Sequence, residues 1–127
     1  RLQAPLYGVF GNNDGDKFRH IQYAEKVGLK VKLEDQLLTF SVSDRRVAVY
    51  HGDYCQIVDA LIRCGDYDVV FHGHDHKPRV EMFDKVLSLN PGTLVNYTNE
   101  SIQGASIGLY DADLHEGRIV ALSELSL

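Results

Sequence analysis

The sequence predicts an α/β fold in which two β-sheets face each other with helices on the outside. Two observations lead there. The first half alternates short apolar runs with helical periodicity, the pattern of βαβ units around a parallel sheet. The second half holds only strand-like runs separated by turns, the pattern of an antiparallel meander. At 127 residues the chain suits one domain with one core, spanning residues 1–127.

Leu6–Phe10 is a short apolar run stopped by Gly11-Asn12-Asn13-Asp14-Gly15, a strong loop signal. A helix follows over Lys17–Val27, with Phe18, Ile21, Ala24 and Val27 on one side and Gly28 placed to end it. Leu37–Val42 and Arg46–Tyr50 read as a hairpin around Ser43-Asp44. After His51-Gly52, Asp53 is suited to cap a helix over Tyr54–Cys64, whose apolar stripe is Tyr54, Ile57, Val58 and Leu61 and which Gly65 can stop. Asp68–Phe71 is a short buried strand that runs into His72-Gly73-His74-Asp75-His76. Arg79–Phe83 and Val86–Leu89 flank a turn at Asp84-Lys85, Asn90-Pro91-Gly92 is a further turn, and Ala105–Tyr110 with Arg118–Leu122 make a last pair.

Composition excludes several classes. Hydrophobic residues make up 44% and charged residues 24%, as in ordinary globular proteins. A net charge of −5 argues against non-specific nucleic-acid binding. No run approaches the ~18 apolar residues of a membrane span, and no signal-peptide pattern opens the chain. Cys55 and Cys64 fall in one helix about 13 Å apart, too far for a disulfide, so a reduced cytoplasmic protein is expected.

The chemistry collects where three apolar strands end in polar, glycine-bearing loops: Phe10-Gly-Asn-Asn-Asp, Tyr50-His-Gly-Asp and Phe71-His-Gly-His-Asp-His. Ligands in open α/β sheets bind beyond the carboxyl ends of the strands. If these three strands are parallel neighbours, Asn12, His51, His74 and His76 meet in one crevice. Imidazole nitrogen with amide or carboxylate oxygen suits divalent Mn, Fe, Co, Ni or Zn. His74 and His76 share a face if their segment is extended. His20, on a helix, and His115, in a turn, are expected to be solvated, and His72 to belong to its strand.

Gly11-Asn12-Asn13-Asp14, His51-Gly52 and Gly73-His74-Asp75-His76 resemble the last three motif blocks of the calcineurin-like metallophosphoesterases, with the Asn90-Pro-Gly-Thr turn typical of the small YfcE-type phosphodiesterase branch. The resemblance implies a four-layer αββα sandwich, lacking its first strands in this chain, and two divalent metal ions, Mn foremost with Ni, Fe, Co or Zn as alternatives. It implies Asn12, His51 and His74 as ligands of one metal and His76 as a ligand of the other. The implied reaction is hydrolysis of a small phosphodiester by a metal-activated water. Asn13 takes the catalytic position next to the metal-binding asparagine where larger members carry histidine; an amide donates a hydrogen bond but supplies no proton, which favours diesters over alkyl monoesters. Asp14 is expected to steady the loop. Asp75 replaces a small hydroxyl residue and, in an extended segment, points away from the histidines.

The family's opening Asp-x-His and Gly-Asp blocks are not in this sequence, so the chain is expected to be the C-terminal portion of a longer protein. Exposed edge strands would suit a homo-oligomer. The alternative function is a non-catalytic metal-binding or scaffold module of the same fold.

Overall fold

A computed structural model describes residues 3–96 and 104–125. Its centre is a five-stranded sheet built from β3 (Leu37–Val42), β4 (Arg45–Tyr50), β5 (Val69–Phe71), β7 (Val86–Asn90) and β6 (Arg79–Phe83), in that spatial order. The three middle strands are parallel, with Val47 opposite Val69 and Val69 opposite Leu87. β3 and β6 close the two edges in antiparallel register. Parallel strands covered on both faces need apolar residues at consecutive positions. Val47, Ala48, Val69, Val70, Leu87 and Leu89 meet that need, all being buried.

Alternation along the strands divides these residues between two cores. Ala48, Tyr50 and Val70 pack against Val58 and Ile62 of the helix α2 (Cys55–Arg63). Val47, Val69, Leu87 and Leu89 face the other way, toward Phe40, Val80, Tyr110 and Ile119. The layer on that second face is made by β1 (Leu6–Val9) with β2 (Val31–Glu34) and by β8 (Ser106–Asp111) with β9 (Glu116–Ala121). Tyr7 of β1 stacks on Phe40 of β3 with ring centroids 4.9 Å apart, and Tyr110 of β8 meets Phe71 of β5 edge-on at 5.5 Å. The expected α/β arrangement of sheet against sheet is therefore present, with α2 outside the larger sheet. The chain around the second helix, α1 (Lys17–Lys26), forms a βαβ unit in which Leu6 pairs with Val31 and Val9 with Glu34.

The structure corrects four local expectations. β1 does not pair with β4 or β5 in one sheet; it pairs with β2, a strand too short and too charged (Val-Lys-Leu-Glu) to stand out in the sequence. Asp53 does not cap α2, because its carboxylate accepts a hydrogen bond from the Tyr50 hydroxyl (2.6 Å) and Tyr54 takes the cap position with no side-chain bond. The stripe of α2 is rotated from the expected one: Val58 and Ile62 are buried while Tyr54 and Ile57 are exposed. In α1 only Ala24 is buried, and Phe18 and Val27 lie exposed.

Candidate functional site

Each site segment leaves the carboxyl end of a strand. Parallel pairing of β4 and β5 sets two of them side by side, and Gly73 N–H donates to the His51 carbonyl (2.8 Å) just beyond the last strand pair. Gly52 is essential to that approach. Its φ is +103°, and a Cβ there would lie 2.8 Å from the Gly73 carbonyl oxygen. The third segment arrives from the other layer. Phe10 N–H donates to the Glu34 carbonyl (3.3 Å), continuing the β1–β2 ladder to the loop's edge. The loop then closes on itself as expected, with Asp14 accepting from the Gly11 N–H. His20 is exposed, as expected, and also reaches from α1 to the Asp14 carbonyl (3.0 Å), bracing the loop.

The side chains converge. His51 Nε2 lies 2.7 Å from Asn12 Oδ1 and 3.1 Å from His74 Nδ1. The two imidazoles meet edge-on, with planes 86° apart. His76, Asn13 and Asp14 line the same cleft, of about 340 Å³, together with Asn12, His51 and His74. Sequence reasoning thus selected residues that do come together, although β1 delivers its share from a different sheet. The extended geometry expected for His74-Asp75-His76 is absent: φ is +72° at His74 and +59° at His76, so strand alternation is not what turns both toward the cleft.

The donor set can be tested for fit to a metal. Two ligands about 2.1 Å from one divalent ion and at right angles to each other sit about 3 Å apart. The 2.7 Å and 3.1 Å separations match that spacing. One ring proton on His51 Nε2 cannot serve both an amide oxygen and a ring nitrogen, whereas a single cation satisfies all three lone pairs. Burial first, then the neighbouring His74, lowers the His51 pKa, a shift toward the neutral form that metals bind. Among the described residues no three His, Cys, Asp or Glu side chains gather as a metal shell; the oxygen beside His51 and His74 is the amide oxygen of Asn12.

The remaining histidines are structural. Buried His72, expected within its strand, is the first residue beyond β5 and lies on the α2 face of the sheet with Nε2 2.9 Å from Ser88 Oγ. His115, expected to be solvated, joins the Tyr110 hydroxyl (2.7 Å) to the Lys85 carbonyl (3.0 Å) and so ties the β8–β9 turn to the β6–β7 turn. Sequence reasoning missed Asn90. Read as a turn residue, it is fully buried and donates to Asp75 Oδ1 (2.8 Å) and the Gly73 carbonyl (3.3 Å).

Comparison with known proteins agrees with this architecture. The family model of the calcineurin-like phosphoesterase superfamily domain matches residues 1–113. A phosphodiesterase of Methanocaldococcus jannaschii is 28% identical over 121 residues, covering 95% of this chain and 70% of its own length. A solved archaeal phosphodiesterase superposes with a TM-score of 0.81 at 28% identity, over 94% of this chain and 70% of that one. More distant likenesses of fold are the Yfce phosphoesterase of E. coli (TM-score 0.59, 22% identity, 94% and 59% coverage) and a zinc complex of Vps29 from Entamoeba histolytica (0.58, 16%, 91% and 73%).

Proposed function

The chain belongs to the calcineurin-like phosphoesterase superfamily, and on that footing we propose that it is a metal-dependent phosphodiesterase acting on a small phosphodiester. The observation that carries this reading is that His51 Nε2 lies 2.7 Å from Asn12 Oδ1 and 3.1 Å from His74 Nδ1 at the strand ends. These three would hold one divalent ion, and His76, on the same cleft, would serve a second. Manganese is the foremost candidate, and Ni, Fe, Co and Zn suit the same N/O donors. Bound there, the ions would supply an activated water at neutral pH and offset phosphoryl charge.

The chain's own residues would do the rest. Asn12 and the two histidines orient the reacting centre from one wall of the cleft. Asn13, exposed on that wall, would donate a hydrogen bond to a phosphoryl or leaving-group oxygen. Its amide cannot give a proton to an alkoxide, so diesters with good leaving groups are the better substrates. No helix among the described residues is long and apolar enough to cross a membrane.

The test is hydrolysis of a bis-aryl phosphate with and without added Mn²⁺, in the wild type and in His74→Ala. We expect metal-dependent turnover that a chelator stops and that His74→Ala loses by at least about a hundredfold, since removing a metal ligand removes the activated water. Metal binding without any metal-dependent hydrolysis would reject catalysis and leave a binding module.

A further inference from the structure

His74 and His76 both adopt left-handed backbone, uncommon for residues with a side chain even though histidine tolerates it better than most. Two such residues within three positions persist only when their surroundings hold them. The residue between them shows how. Asp75 is absent from the lining of the histidine cleft and lies instead on a separate cleft on the α2 face of the sheet, with Arg79, His72 and Ser88. Its Oδ1 accepts from Lys77 N–H (3.0 Å), Asn90 Nδ2 (2.8 Å) and an Arg79 guanidinium nitrogen (3.2 Å). Its Oδ2 lies 2.9 Å from the same guanidinium nitrogen.

The partners of Asp75 hold the loop in turn. Asn90, at the end of β7, donates to the Gly73 carbonyl and accepts from Gly92 N–H (3.0 Å). Arg79, at the start of β6, donates to the Lys77 carbonyl (2.8 Å). Residues 73–77 are thus tied at the Gly73 carbonyl, the Lys77 N–H and the Lys77 carbonyl, all from the side opposite the cleft. Burial works against the Asp75 charge, but the Lys77 N–H, Arg79 and Asn90 together outweigh it and hold its pKa below the usual carboxylate range.

We propose that Asp75 is a positioning residue: with Asn90 and Arg79 it sets the backbone of residues 73–77, so that His74 and His76 are in place before a metal arrives. The inference rests on the metal-site reading above. It also gives a role to the carboxylate that stands where the family's loop carries a small hydroxyl residue. A hydroxyl could not accept three donors from two strands and its own loop at once. Supporting groups behind metal ligands typically change affinity ten- to a hundredfold when removed.

The experiment compares wild type with Asp75→Ala, Asp75→Asn and Arg79→Met by two readouts: calorimetric titration with Mn²⁺ alone, and hydrogen exchange of backbone amides in the metal-free protein. Asp75→Ala should bind Mn²⁺ about ten- to a hundredfold more weakly. Its Lys77 amide should exchange at least about tenfold faster, because its acceptor is gone, while amides of β4, β5 and β7 keep their protection. Asp75→Asn keeps one oxygen acceptor and Arg79→Met keeps the carboxylate, so both should show smaller losses. Asp75→Asn carries the comparison if Asp75→Ala does not fold. Unchanged Mn²⁺ affinity in the Asp75 variants overturns the proposal, and so does a loss of protection spread evenly over the sheet. If wild type binds no Mn²⁺, the metal-site reading fails on its own. Unchanged Lys77 exchange in the Asp75 variants would then still overturn the clamp.

Discussion

Gly52→Ala offers a quantitative test of how the two histidine loops approach each other. The residue has φ +103°, and an added Cβ would stand 2.8 Å from the Gly73 carbonyl oxygen and 3.2 Å from the Gly73 nitrogen. Both are backbone atoms with no rotamer to yield. Gly65, just past α2, supplies the control: its φ is +82°, but nothing lies within 4 Å of its added Cβ. Alanine at either site costs about 1–2 kcal/mol for the left-handed backbone, of which the stiffer unfolded chain returns about 0.5–1 kcal/mol. Gly65→Ala should therefore cost about 1 kcal/mol. Gly52→Ala adds the clash and the weakening of the 2.8 Å bond from Gly73 N–H to the His51 carbonyl, about 1–2 kcal/mol more. For a chain of this size each kcal/mol lowers Tm by roughly 3–4 °C, so the drops should be about 3–4 °C and about 8–10 °C. Thermal unfolding followed by circular dichroism measures both. Moving Gly73 also moves His74 relative to His51, so Gly52→Ala alone should weaken Mn²⁺ binding by about tenfold, read by titration calorimetry. Equal Tm losses in the two variants, with equal metal affinity, would refute the claim that contact between these loops builds the site.

Further outcomes follow from other contacts. Arg46 donates to both Asp68 oxygens, from its backbone N–H (2.7 Å) and its guanidinium (3.1 and 3.2 Å), and holds the carboxyl at about 2. A carboxyl depressed in the folded state stabilises above its unfolded pKa near 4 and loses that contribution as pH falls toward 2; after discounting for solvent, about 1–2 kcal/mol should disappear across this window. Asp68→Asn should flatten that part of a urea-midpoint-against-pH curve. Asn13→His places a group able to protonate an alkoxide on the cleft wall, so the ratio of alkyl-monoester to bis-aryl-diester hydrolysis should rise by about tenfold or more in steady-state assays. Leu87→Ala, at a position only 2% exposed in the central sheet, should cost about 2–5 kcal/mol in urea unfolding. Its metal affinity, measured where it is folded, should be unchanged, because Leu87 lies far down its strand from the loop ends.

The sequence by itself determined the elements with a strong local signal and the identity of the clustered residues. Val47–Tyr50 and Val69–Phe71 are legible because strands buried on both faces must be apolar throughout, and Val86–Leu89 is legible from Val86, Leu87 and Leu89 although Ser88 interrupts the run. Asn12, Asn13, His51, His74 and His76 are legible because each follows a short apolar run in a glycine-bearing loop, where open sheets expose their chemistry. Only the tertiary structure decided which sheet delivers the asparagine loop, since pairing of β1 with β2 depends on long-range register and not on either strand's composition. It also decided how the histidine loop is held. Asn90 and Arg79 sit 15 and 4 residues from Asp75, and nothing in their local sequence says that one carboxylate will gather both. Hydrophobic pattern and turn chemistry are written residue by residue, whereas a buried hydrogen-bond network exists only once distant strands have been brought to one end of the sheet.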